Sequence, residues 1–395
     1  MKHVSIVGIG MGTDTVTQAG LRAIQNAEAL VGAQRMLDAF AALQKPAYAE
    51  YIPNRVSGVI SASEHVRFAA LVSGDTGFYS AADGLAAALA AYDVSLIPGV
   101  SSLSYFFAKL HRPWQDAKLV SCHGRDANLI DAVRRNRLTF ALTGGNANAL
   151  AARLADAGFG GLQTYVGENL GLRDERILWL SVSELRDTTV GPLAVLLVEN
   201  PDFDSRVRFG IPDDEFTRGG MPMTKSEVRA VTLSRLALKP SDIGCDIGAG
   251  TGSVTVEMAL AAYEGRVFAV DRNEEALALV RQNCKAFHIG NVFPVRGDAP
   301  DAMAGLPRLD AAFIGGSGGH MRDIVSALLA GNPGIRIAVN AIALESAVAA
   351  VSAFRENGLA PEIVQIGCAR GKAAGALHMM TAQNPVFIVS GGGHE

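Results

Sequence analysis

A chain of 395 residues, 49% of them hydrophobic and with a positive mean hydropathy, has material for two or three full cores, which excludes a disordered polymer. Its formal net charge of −4 excludes bulk electrostatic attraction to nucleic acid or to an anionic membrane, so any anionic ligand must be met by local basic residues. The four cysteines, Cys122, Cys245, Cys284 and Cys368, form no C-x-x-C pair and have no histidine at metal-ligand spacing, so a reducing compartment is expected, with neither disulfide nor metal site.

Met1-Lys2-His3 runs straight into a strand without a signal-peptide cleavage region. No apolar run reaches the roughly 18 residues of a membrane span; the stretch 338–351 is broken by Asn340 and Glu345. The expectation is a soluble cytoplasmic protein with no nucleic-acid or membrane partner.

The first strand, Val4 to Ile9, ends in a glycine turn at Gly8, Gly10 and Gly12. A helical pattern follows over 17–29, and Ala29-Leu30-Val31-Gly32 reads as the next strand. That strand ends without the Asp or Glu that would hold ribose hydroxyls in a dinucleotide site. Residues 68–72 read as a buried strand entering Ser73-Gly74-Asp75-Thr76-Gly77-Phe78-Tyr79-Ser80, followed by an alanine-rich helix over 81–91. Residues 94–97 form a strand that ends in Pro98-Gly99-Val100-Ser101-Ser102 and leads into a helix through Leu110.

The set VGIGMG, SGDTGFYS and PGVSS resembles the tetrapyrrole (uroporphyrin-III/precorrin) methylase family over about 2–200. SCHGR, LTGGN and GENLG at 121–125, 142–146 and 167–171 resemble its cobalamin-pathway branch acting on precorrin-6Y. The resemblance implies two small α/β lobes with S-adenosylmethionine in the cleft. It implies cofactor contacts from Gly8, Gly10, Gly74, Asp75, Tyr79, Pro98, Ser101 and Ser102, and substrate contacts from His123 and Arg125. Thr76 stands where the family commonly has proline, which loosens a preset turn dihedral.

Between 199 and 221, prolines and glycine pairs alternate with charges and no periodicity is sustained, which reads as a linker with docked turns. The expected domains are 1–203 and 221–395, joined by 204–220. The second begins with Thr224 as N-cap and Glu227 three residues on, a capping box opening a helix to Leu238.

Next comes Cys245-Asp246-Ile247-Gly248-Ala249-Gly250-Thr251-Gly252, a short strand, a glycine turn and a helix start. The spacing G-x-G-x-G with a preceding Asp differs from the G-x-G-x-x-G dinucleotide fingerprint and favours S-adenosylmethionine over NAD. The glycines permit close backbone approach, and the helix start offers free N–H groups to oxygens. Asp271 ends the next strand, 19 residues beyond Gly252, near the separation of a ribose-binding carboxylate. Asp298, beside Ala299 after a third strand, is placed to accept from an adenine amino group. A fourth strand over 309–314 ends in Gly315-Gly316-Ser317-Gly318-Gly319, whose N–H groups, with a helix start at His320, are expected to form an anion nest for a substrate carboxylate.

Together with GMPMTKSEVR, DRNEEA, GDAP, CARGK and HMMTAQNPV, that loop resembles the decarboxylating precorrin-6Y methyltransferase domain over roughly 220–391. The fold class is therefore α/β, a two-lobed tetrapyrrole methylase fold followed by a Rossmann-like S-adenosylmethionine-dependent methyltransferase sheet. The resemblance implies methylation of macrocycle carbon 5 by the first half, and of carbon 15 with loss of the ring C acetate carboxyl by the second, giving precorrin-8. It implies two S-adenosylmethionine sites, no metal, and a symmetric homo-oligomer, dimer or tetramer.

Arg370 and Lys372 are candidates for substrate carboxylates, against a solvated charge pair on a loop. His378 and Met379 are candidates for proton handling or methyl positioning, against core packing; Ser317 completes the catalytic set. Two other classes stand beside this reading: an NAD(P)-dependent tetrapyrrole oxidoreductase and a non-catalytic tetrapyrrole carrier. The absent acid after the second strand and the G-x-G-x-G spacing argue against the oxidoreductase.

Overall fold

The computed structural model describes residues 1–123, 127–206 and 208–393, so Arg125 lies outside the described residues. The chain forms two compact units: Met1–Asp126, Asn136–Ala152 and Gly161–Asp202 make the first, and Ala127–Arg135, Arg153–Gly160 and Phe203–Glu395 the second.

The first unit contains two sheets. β1 (His3–Gly8), β2 (Ala29–Gly32), β3 (Ala47–Ala49), β4 (Arg67–Val72) and β5 (Asp93–Ile97) are parallel, in the order β3-β2-β4-β1-β5. Helices cover both faces of such a sheet, so its inner strands are near-continuous apolar runs; Val4, Ile6, Val7, Phe68, Ala69 and Ala70 are all buried. Thr17 accepts from the Gly20 amide at 3.1 Å to start the helix Gln18–Asn26, and Ser101 accepts from Ser104 at 3.0 Å to start Ser102–Lys109.

β6 (Ala117–Ser121), β7 (Leu138–Leu142), β8 (Gln163–Glu168), β9 (Arg176–Ser181) and β10 (Ala194–Glu199) form the second sheet, ordered β6-β7-β10-β8-β9. Its core gathers Phe106, Phe107 and Phe140, with ring centroids 6.0–6.4 Å apart.

In the second unit, β11 (Ile243–Ile247), β12 (Arg266–Asp271), β13 (Val292–Arg296), β14 (Ala311–Ile314) and β15 (Arg336–Ala341) run parallel, while β16 (Glu362–Ile366) and β19 (Val386–Gly391) complete the order β13-β12-β11-β14-β15-β19-β16. β19 is antiparallel to both its neighbours. Between β16 and β19 the chain makes a separate two-stranded hairpin, β17 (Ala369–Ala374) and β18 (Leu377–Ala382). β11 lies between β12 and β14, so the order reverses there, and the crevice beyond the carboxyl ends of these strands is where ligands bind in open α/β sheets.

The expected capping box does not form. The helix is Ser226–Leu236, its N-cap is Lys225, and no side chain within the turn caps it. Asp213 instead accepts from the Ser226 amide at 3.0 Å, and Glu227 is held by Arg370 at 2.6 and 2.9 Å. Two partners remote in sequence thus displace a local motif.

Residues 210–216 are tied down on the second unit. Ile211 and Phe216 are buried, and the Gly210 and Ile211 amides donate to Glu257 at 2.9 Å each. The helix Ser253–Ala261 is buried over its first seven residues, as its apolar sequence dictates, and Glu257 within it needs that company.

Candidate functional site

In the second unit, the loop after β11 turns under the loop after β14. Gly248 and Gly250 adopt φ of +75° and +54°. A Cβ on Gly248 would lie 2.8 Å from the Gly316 nitrogen, so the absent side chain is what lets the two loops meet backbone to backbone. The Asp271 carboxylate, at the tip of β12, accepts from the Gly250 amide at 3.0 Å and from Asn273 at 2.9 Å, one bond to each oxygen. It thereby fixes the loop while each oxygen keeps a lone pair for a further donor.

These loops border a cavity of about 800 Å³. Of the residues singled out from sequence, Gly248, Gly250, Thr251, Asp271, Asp298, Ala299, Gly315, Gly316, Ser317 and Gly318 line it. Gly252 stands just behind as the N-cap of Ser253–Ala261, and Gly319 precedes the helix Met321–Gly331. The Gly315 and Gly316 amides both point at the Ile247 carbonyl, at 2.9 and 3.3 Å, and the helix begins at Met321 with His320 as its N-cap. The expected five-residue anion nest is therefore narrowed to the amides beyond Gly316.

Asp246 does not line the cavity. It is fully buried at the end of β11, with one oxygen accepting from the Thr255 hydroxyl and the other without a hydrogen-bond partner. Burial pushes its carboxyl up to about 7, with the neighbouring Asp271 charge adding to the rise. The folded form therefore holds a proton that the unfolded chain has released between about pH 4 and 7, so folding loses stability as pH rises through that window and levels off above it. Asp246→Asn is expected to be more stable than the native chain at pH 8, by up to about 4 kcal/mol, and nearly equal, within about 1 kcal/mol, at pH 4. Equal denaturation midpoints at both pH values would show the carboxyl to be ionised in place.

The hairpin residues lie elsewhere. Arg370, Lys372, His378 and Met379 are not among the cavity's lining. Arg370 is neither on a loop nor an unpaired solvated cation: it sits on β17 and pairs with Asp213 at 2.9 Å and Glu227 at 2.6 Å, holding the Glu227 carboxyl down at about 2. Lys372 and Met379 face each other across the hairpin register, and His378 and Met379 are exposed, which removes the core-packing explanation for that stretch.

Sequence reasoning missed Lys225, Arg272, Asn340 and Gln383, which do line the cavity. Lys225 stands in a motif read only for helix capping. Asn340 lies at the end of β15, with its Oδ1 2.9 Å from the Thr232 hydroxyl and its Nδ2 buried without a partner.

In the first unit, three loops meet at the carboxyl ends of β4, β1 and β5. Gly10 and Gly74 exchange two backbone hydrogen bonds of 3.1 and 3.0 Å, and a Cβ on Gly99 would fall 2.3 Å from the Gly74 oxygen. Asp75 accepts from the amides of Gly77 at 2.8 Å and Gly99 at 3.2 Å, which makes it the tie between two of the loops. A Cβ on Gly8 would meet the same Gly74 oxygen at 2.7 Å; Ser101 caps its helix, with Ser102 as the first helical residue. The Pro98 carbonyl accepts from Thr17 at 3.4 Å. Tyr79 lines a separate cavity of about 210 Å³ beyond β2 and β4. His123 is exposed at the end of β6, its Cα 2.9 Å from where a Gly144 Cβ would be.

A doubly wound sheet with a glycine loop at its switch point, and an acid at the tip of the adjacent strand, defines a nucleotide-binding unit of the Rossmann-like class, here following a second α/β unit. Residues 3–186 match the family of tetrapyrrole (corrin/porphyrin) methylases, and 214–391 match the precorrin methyltransferase domain. The precorrin-6Y C(5,15)-methyltransferase [decarboxylating] of Sinorhizobium sp is 32% identical over 97% of this chain and 94% of its own length. The chain belongs to that family, the decarboxylating precorrin-6Y C(5,15)-methyltransferases. A probable cobalt-precorrin-6B C(15)-methyltransferase (decarboxylating) from Pyrobaculum calidifontis is 46% identical over 46% of this chain and 94% of its own length. A crystal structure of a precorrin-6Y C5,15-methyltransferase from Geobacter metallireducens is 37% identical, with a TM-score of 0.45, covering 47% of this chain and 98% of that one.

Proposed function

We propose that the chain methylates a precorrin-6Y substrate at carbons 5 and 15 and removes the ring C acetate carboxyl to give precorrin-8, with one S-adenosylmethionine site in each half. Enzymes of this family use S-adenosylmethionine. The observation that carries the two-site reading is the occurrence of two glycine-loop sites, each at the carboxyl ends of its own parallel sheet and each within a match to a different methylase family.

Bound S-adenosylmethionine supplies a methyl group already activated on a sulfonium. The second unit's residues fit such a ligand. Gly248 and Gly250 leave room for close backbone approach, Asp271 retains lone pairs for ribose hydroxyls, and Asp298 stands at the rim to accept from a base. Methyl transfer to an electron-rich carbon then requires in-line placement and exclusion of water rather than a strong base. Met221, Met223, Met321 and Ile342 give the cavity the apolar wall for this. Loss of carbon dioxide leaves an electron pair that the protonated, conjugated macrocycle takes up, so the protein's task is to hold the reacting acetate in a poorly solvated place.

The first unit's loops around Gly8, Gly10, Gly74, Asp75 and Ser101 support the second cofactor site, and His123, exposed after β6, is assigned as a substrate contact. The cytoplasmic location and symmetric homo-oligomer belong to the same proposal; sedimentation reads the latter.

The test is the mass of the product from precorrin-6Y and methyl-labelled S-adenosylmethionine, expected to gain two labelled methyls and lose one carbon dioxide. Asp271→Ala is expected to reduce S-adenosylhomocysteine binding from two sites per chain to one and to stop carbon 15 methylation while carbon 5 methylation continues. One site in the native chain, by titration calorimetry, would sink the two-site reading.

A further inference from the structure

The cavity of the second unit must receive carboxylates whichever partner is considered, the amino-acid end of the cofactor or the acid side chains of a tetrapyrrole. Among the described residues lining it, the cations are Lys225 and Arg272. Arg272 is 72% exposed, twice as exposed as Lys225, so solvent screens its charge far more at the cavity's outer edge. Arg370, the cation the sequence pointed to, is occupied by Asp213 and Glu227. That leaves Lys225, whose backbone is the N-cap of the helix Ser226–Leu236 and whose side chain is about one-third exposed.

The acids around Lys225 explain why it remains available. Glu257 accepts from Arg229 at 2.7 Å and from two amides at 2.9 Å. Glu227 is taken by Arg370. Asp213 faces the Arg229 guanidinium at 3.1 Å, the Arg370 guanidinium at 2.9 Å and the Ser226 amide at 3.0 Å, and only then the Lys225 ammonium at 3.8 Å. Both hydrogen bonds that Asp213 accepts fall on Oδ1, while its buried Oδ2 accepts none and is countered by charge alone, from the Arg370 guanidinium at 2.9 Å and, as the longest contact of the four, the Lys225 ammonium at 3.8 Å. A flexible ammonium at that distance is restrained near the cavity without being spent.

We propose that Lys225 is the carboxylate-binding cation of this cavity, and that Arg370 is a positioning residue which keeps Asp213 and Glu227 from capturing it. The proposal rests on the reading of the cavity as a methyltransferase site. The carboxylate has two sources, the methionine end of S-adenosylmethionine or an acid side chain of the tetrapyrrole, and the experiment separates them.

Binding of S-adenosylhomocysteine and of 5′-methylthioadenosine, which lacks the amino-acid end, is measured by calorimetry on the full chain, native and Lys225→Met, alongside KM and kcat for the tetrapyrrole. If the cofactor supplies the carboxylate, Lys225→Met weakens S-adenosylhomocysteine by about tenfold or more on the component that Asp271→Ala removes, and leaves methylthioadenosine unchanged. If the substrate supplies it, both nucleosides bind as before and KM for the tetrapyrrole rises by about tenfold with kcat moved less. In either case Lys225→Arg recovers part of the loss.

Arg370→Gln is expected to weaken the same ligand in the native background and to add nothing in the Lys225→Met background, a non-additivity that a purely structural role would not produce. Unchanged affinity and KM in Lys225→Met, or equal weakening of both nucleosides, overturns the proposal. If Asp271→Ala removes no binding component, the reading of the cavity itself fails and the proposal falls with it; a silent Lys225→Met beside an impaired Asp271→Ala sinks the lysine alone.

Discussion

Arg229→Leu is expected to destabilise the second unit by about 3–5 kcal/mol, the cost of leaving a buried carboxylate without its counter-charge. Differential scanning calorimetry should show its transition falling by roughly ten degrees. Arg229 is fully buried, with its Nε on Glu257 at 2.7 Å, its Nη1 on Asp213 at 3.1 Å and the Thr224 carbonyl, and its Nη2 on the Ile211 carbonyl. The guanidinium also lies 4.8 Å from the centroid of Phe216. Removing it strands Glu257, fully buried, with two amide donors and no cation.

The doubly changed chain Arg229→Leu, Glu257→Leu should recover much of the loss, because deleting both charges removes the desolvation cost along with the attraction. If the single change lowers the transition by only a degree or two, the ion pair is not closed to water. Function should suffer beyond stability, since Arg229 holds the Thr224 carbonyl beside the cavity wall formed by Met223, Thr224 and Lys225.

The same residues show why part of the chain could be read directly and part could not. The strand, glycine turn and helix at 243–261 are encoded by neighbours in sequence, and Asp271 and Asp298 follow at fixed separations because each ends or follows the next strand of one sheet. Such features survive folding because the fold adds nothing that competes with them.

The capping box at Thr224 and Glu227 failed for the opposite reason. Asp213 arrives from 13 residues upstream and Arg370 from 143 residues downstream, and both outbid the local bonds. Arg229, inside a regular helical pattern, gives no sign in sequence that it will be fully buried, because its burial depends on Glu257, 28 residues away. Arg370 and Lys372 drew attention as cations in a motif, yet the first is consumed by pairing and the second stands on an exposed hairpin, while Lys225, in a motif noticed for its backbone, reaches the cavity.

Gly248→Val is the substitution expected to act most strongly on the second unit's chemistry. Gly248 holds a φ of +75°, where a β-branched residue is a genuine outlier. Its Cβ would also lie 2.8, 3.0 and 3.1 Å from the nitrogen, oxygen and Cα of Gly316. All three contacts are backbone, so no rotamer change relieves them, and either the loop after β14 or the loop after β11 must shift. Moving the first displaces the cavity wall at Gly315–Gly318, and moving the second breaks the Gly250 amide bond to Asp271. Together these should weaken cofactor binding in this unit by about a hundredfold or more, equivalent to about 3 kcal/mol, so that the product carries the carbon 5 methyl but lacks the carbon 15 methyl and keeps its acetate carboxyl. Gly316→Ala is the matched control: a Cβ there meets no atom within 4 Å and the residue has no left-handed φ, so its effect should stay within about threefold, under 1 kcal/mol. A chain in which Gly316→Ala is the more damaging of the two would show that the site is limited by ligand contact at Gly316 rather than by the fit of one loop beneath the other.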